Sequence, residues 1–145
     1  MENAEFKKIV RNTLTEAGFE YRNKNYYCST NELIAVIDLQ KSNFSDAWYI
    51  NYGFYIKAIH DDDNDYPKWE EIDVDARILN PHTATQEDLF ELTMDSEEIE
   101  YAIKEGLEKE IFPILENGIE KSLEIFPWIE YVARKRLKDY LGIEY

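Results

Sequence analysis

The sequence predicts an α+β fold: an N-terminal helix, an antiparallel β-meander of about five strands, and C-terminal helices packed on one sheet face. Three observations carry that reading. Apolar residues recur at spacings of three and four at the N-terminus, alternate with polar ones through the middle, and return to helical spacing after Asp95. A helix, then strands, then helices is the order of an α+β chain, not of repeated βαβ units. At 145 residues, 1–145 is expected to be a single domain with enough core to fold without a metal or disulfide staple.

Each element has its own signature. Phe6, Ile9, Val10, Leu14 and Ala17 form an apolar stripe with Lys7, Lys8 and Arg11 largely off it, and Gly18 suits a left-handed cap. Phe19 and Tyr21 then alternate with Glu20 and Arg22, and Asn23-Lys24-Asn25 supplies turn chemistry before Tyr26-Tyr27-Cys28. In the next run Leu33, Ala35, Ile37 and Leu39 share one face, while Ile34, Val36, Asp38 and Gln40 share the other. The longest strand candidate covers 48–58, with every even position apolar or aromatic. Such alternation suits a sheet with one face covered by helices. A fifth strand is expected over 72–79, with Val74, Ala76 and Ile78 inward. Asp95 and Glu98 form a capping arrangement for a helix whose stripe is Ile99, Ala102, Ile103, Leu107 and Ile111. Pro113 must start, kink or end a helix. Gly118 and Pro127 divide the remainder into helices over 119–126 and 127–141.

The chain holds 31 acidic and 16 basic residues, a net charge of −15, which argues against general binding of nucleic acid. The excess is local. Residues 61–100 carry fifteen acids against only Lys68 and Arg77, while the other 105 residues are nearly balanced. Acidic loops aid solubility, and acids suit helix starts, which accounts for Glu97 and Glu98. A concentrated acidic surface also steers a basic partner, accelerating encounter by roughly 10–10³-fold.

Few features point to catalysis. Asp61, Asp63 and Asp65 open like a calcium loop, but Tyr66 stands where glycine is needed and Ile72 where the closing glutamate belongs. His60 and His82 lack a neighbouring histidine or cysteine, and the lone Cys28 reads as a small buried filler, so no metal or other cofactor is expected. Nucleophile elbows and phosphate-binding loops are absent. No enzyme activity is therefore expected. Arg134, Lys135, Arg136 and Lys138 complement the dipole of the last helix. The first residues mix charges, and no apolar run approaches the roughly 20 residues that span a bilayer, so the expected location is cytoplasmic with no membrane partner. One further surface stands out. If helices cover one sheet face, the other presents Asp38, Gln40, Tyr49, Asn51, Tyr55, Asp75 and Arg77, a mixture suited either to binding or to ordinary cross-strand pairing.

Ala17-Gly18-Phe19, Ile37-Asp38-Leu39-Gln40-Lys41-Ser42, Ile50-Asn51-Tyr52-Gly53 and the strand reaching Arg77 together resemble the family of small bacterial proteins called domain of unknown function 4304. The resemblance spans about the first 80 residues and implies no established enzyme activity. Small acidic domains of this type resemble immunity proteins that neutralise one cognate toxin. On that resemblance the expected function is an antitoxin that occludes the basic cleft of a toxin domain, most naturally a nuclease. Asp61, Asp62, Asp63, Asp65, Glu70, Glu71, Asp73 and Asp75 would steer and pair, with Tyr66 and Trp69 as anchors. The alternative is a small-ligand or peptide-binding module on the outer sheet face, using Gln40, Tyr49, Asn51, Tyr55 and Arg77.

Overall fold

The computed structural model describes residues 1–60, 63–80, 88–125 and 134–142. Helix α1 (Asn3–Glu16) buries Phe6, Val10 and Leu14 and ends where Gly18 takes φ +103, a conformation without penalty only for glycine. The chain then enters an antiparallel meander: β1 (Glu20–Arg22), β2 (Asn25–Ser29), β3 (Leu33–Lys41), β4 (Ala47–Ile56) and β5 (Val74–Arg77). A sixth strand, β6 (Leu89–Glu91), joins them. It pairs with Ala47–Tyr49 of β4, while β5 pairs with Asn51–Phe54, so the two short strands share one edge of β4.

The helix-side core follows the predicted parity. Leu33, Ala35 and Ile37 of β3 and Ile50, Tyr52, Phe54 and Ile56 of β4 are buried together with α1. Helix α2 (Ser96–Gly106) adds Ile99, Ala102 and Ile103 to the same layer. Its start is the expected reciprocal cap: Glu98 N–H donates to Asp95 Oδ1 at 2.9 Å, and Asp95 N–H donates to Glu98 Oε1 at 3.3 Å.

Departures from the predicted boundaries have local causes. β4 stops at Ile56 rather than 58: Lys57 N–H still donates to Glu32 O, one step along the β3–β4 register, but the chain then enters a 3₁₀ turn, Lys57–Ile59. After α2 the chain widens into a π-helical turn, Leu107–Ile111, in which Phe112 N–H donates five residues back to Leu107 O. Pro113 comes next; its ring has no N–H for the α-helical ladder and crowds the preceding turn, so widening there relieves the conflict. Two short helices follow, α3 (Phe112–Asn117) and α4 (Ile119–Ile125). The last helix, α5 (Lys135–Leu141), begins only after an extended Arg134 (ψ 159°), so the expected helix over 127–141 does not continue through that residue. Among the described residues no helix is long and apolar enough to cross a membrane.

Candidate functional site

The outer sheet face is two surfaces, not one. At the end of the sheet near Ile56, Tyr27, Ile34, Val36, Tyr55 and Ile72 form a second, smaller apolar cluster, with Tyr66 and Trp69 packed against it. The lid on this cluster is the acidic segment itself. Strand register explains the arrangement: Ile34 faces Tyr55 and Val36 faces Gly53, whose missing side chain leaves room for Ile72. A Cβ on Gly53 would lie 2.4 Å from Ile72 Cγ2 and 2.8 Å from Val74 O. Tyr55, expected as an outward binding residue, is therefore 1% exposed and unavailable to a ligand on that face.

The acidic segment is fastened from both sides. Tyr27 OH donates to Pro67 O at 3.1 Å, and Tyr66 OH donates to Glu20 at 2.8 Å while Arg22 lies over its ring. Within the segment a 3₁₀ turn, Trp69–Glu71, is closed by Lys68 N–H donating to Glu71 Oε1. Its far end is locked by Asp73, which is fully buried. The Asp73 carboxylate accepts from Ile56 N–H at 2.8 Å, from His60 Nε2 at 3.0 Å and from the Arg136 guanidinium. His60 stacks on Tyr55 with centroids 4.0 Å apart. Arg136 also donates to Glu71 O and Ile72 O, and Arg134 N–H donates to Asp73 O at 2.9 Å. The bases of the last helix thus grip the acidic segment, a role that helix-dipole reasoning did not reveal.

The predicted partner-binding residues accordingly separate. Asp63, Asp65, Glu70 and Asp75 are exposed, and among the described residues none forms an ion pair. Glu71 is half-buried and spends one oxygen on the Lys68 turn. Asp73 is fully buried, with both carboxylate oxygens already accepting hydrogen bonds from within the fold. Tyr66 and Trp69 are half-buried parts of the lid rather than projecting anchors. Asp61, Asp62 and His82 lie outside the described residues.

The other half of the outer face gathers the remaining candidates. Asn51 Nδ2 donates to Gln40 Oε1 at 3.1 Å and to Asp38 Oδ2 at 3.4 Å. Arg77 donates to Asn51 Oδ1 at 3.2 Å and to Asp88 at 3.2 Å, and stacks 3.9 Å over Tyr49. Burial raises the pKa of Asp38, partly opposed by the Asn51 bond. The group forms a closed network, and among the described residues no buried side-chain nitrogen or oxygen lacks a partner. Nor do the described residues group three histidine, cysteine or carboxylate side chains as metal ligands.

A family described as Domain of unknown function (DUF4304) matches residues 10–117, about three quarters of the chain. The chain belongs to the DUF4304 family. No curated protein and no solved structure matches it. The DUF4304 match takes in the whole sheet, the lid and the Arg77 network, and continues through α2 and α3. Arg134 and Arg136, which close the lid from α5, fall beyond the matched region.

Proposed function

We propose that the protein is a non-catalytic binding protein of the cytoplasm that captures a basic partner protein on its acidic lid, in the manner of an immunity protein neutralising a toxin. The observation that carries this reading is the display of Asp63, Asp65, Glu70 and Asp75, exposed and, among the described residues, in no ion pair, on a segment fastened at Tyr27, Tyr66 and Asp73. Acids that only kept the chain soluble would not need so rigid a mount. Fixing them lowers the ordering cost of binding, because the charges are already in place when the partner arrives. A nuclease cleft, lined with bases to hold phosphates, is a natural complement, and covering it blocks substrate without chemistry.

The test is affinity capture from the native cell lysate at low and raised salt. Two baits are compared: the wild-type chain and a variant carrying Asp63→Lys, Asp65→Lys, Glu70→Lys and Asp75→Lys. The proposal expects a basic protein retained by the wild type, released by salt and absent from the variant. Equal retention by both baits would contradict it.

A further inference from the structure

Beside α1 and the β1–β2 turn lies an open groove of about 560 Å³, lined on the sheet by Tyr21, Tyr26, Leu39 and Trp48. Four cations and one carboxylate line it: Lys7, Lys8 and Arg11 from α1, Lys24 from the β1–β2 turn, and Asp38 from β3. This is an unexpected place for the cations. The chain carries a net −15, yet among the described residues none of the four is ion-paired with a carboxylate. Lys7 and Arg11 stand four residues apart on one helix face, a like-charge spacing that costs a few tenths of a kcal/mol when nothing compensates it. Both are held in position by rings that also line the groove: Lys7 lies 5.1 Å over Trp48, and Arg11 lies 4.2 Å over Tyr21.

Lys24 supplies an independent sign. Asn23 and Lys24 have φ of 51° and 69°, the left-handed pair of a tight hairpin turn in which glycine is the favoured second residue. A lysine there holds strained backbone while placing a cation at the groove wall, and strain kept at one site is a pointer to function.

We infer that this groove binds a small molecule bearing clustered phosphate oxygens, of the diphosphate class. Four cations along one groove match more than one negative charge, and the volume lies within the range of small-ligand sites, roughly 300–1,000 Å³. Arg11 offers a planar fork to two oxygens, and the lysines serve as adjustable point charges. The acidic excess lies in residues 61–100, and Asp38, the one acid among the lining residues, is outnumbered four to one and accepts from Asn51 Nδ2 at 3.4 Å.

The test is calorimetric titration of the full chain with inorganic pyrophosphate at low ionic strength. Saturable one-to-one binding with a Kd below about 1 mM is expected. Lys24→Gly relieves the strained turn, so its melting temperature should equal or exceed the wild type's, while affinity falls about fivefold. Lys8→Glu should abolish binding, and Lys121→Ala, on α4 away from the groove, should leave it unchanged. Absence of saturable binding, unchanged affinity in Lys24→Gly, or equal weakening by Lys121→Ala would each overturn the assignment.

Discussion

Asp73 and Asp75 stand two residues apart in the same acidic run and do opposite things. Asp73 is buried and accepts from a backbone amide, a histidine and an arginine; Asp75 is exposed and pairs with nothing among the described residues. Asp73→Asn puts an amide N–H among donors and strips Arg136 of its counter-charge, so a loss of about 3 kcal/mol is expected. Asp75→Asn should stay within about 0.5 kcal/mol. Urea unfolding of the two variants, side by side, checks the contrast. Glu110 gives a second test at this scale. It sits in the π-helical turn, where its carboxylate accepts from Tyr52 OH at 3.0 Å and from Leu79 N–H at 3.3 Å. Burial pushes its pKa upward despite those bonds. The fold therefore favours the protonated acid, a stabilisation present below the usual carboxylate pKa and lost as pH rises through the raised one. Glu110→Gln removes this dependence. Its stability relative to the wild type should increase from pH 4 toward neutrality, and denaturant titrations at several pH values would show a flat difference if the sign were wrong.

At the scale of elements, the sheet and its helical layer were readable from the sequence because both rest on periodicity. The even positions of β4 and the odd positions of β3 face the core as alternation requires, and the Asp95–Glu98 cap is local chemistry. The lid was not readable, because it depends on contacts between residues distant in the chain: Tyr27 with Pro67, and Asp73 with Arg136. One signal pointed to it. Residues 33–37 are apolar at both parities, which marks a strand covered on both faces, and Tyr55 is the register partner of Ile34. β6 was hidden for a different reason: three residues are too few to show a period. Gly53 is where lid and sheet meet. Gly53→Ala would drive a methyl into Ile72 and the Val74 carbonyl, and a cost of about 1–3 kcal/mol is expected from such overpacking. The loss should appear in thermal melts, with reduced protection of 63–75.

Over the whole molecule, charge divides the surface. The acidic lid covers one end of the outer sheet face, whereas cations of α1 and the β1–β2 turn that form no ion pair among the described residues line a separate groove. On the two proposals, a salt-released protein partner would occupy the first surface and a small phosphate ligand the second, so the charge-reversed lid variant should keep pyrophosphate binding intact. Calorimetry on that variant separates the two. The family match extends from the middle of α1 to the end of α3 and so includes the lid but not the arginines that fasten it from α5.

The acidic segment presents its charges on a preformed surface. Amide hydrogen exchange tests this without any partner. In the wild type, Ile56, Ile72, Asp73 and Arg134, whose N–H groups donate to Asp73 Oδ2, Trp69 O, Phe54 O and Asp73 O, should be protected like the β3–β4 ladder. Arg136→Ala should lower protection at Ile72, Asp73 and Arg134 together and leave β3 unaffected. Unprotected exchange at Ile72 and Asp73 in the wild-type chain would rule out a preformed surface, because the acids would then have no fixed face to present.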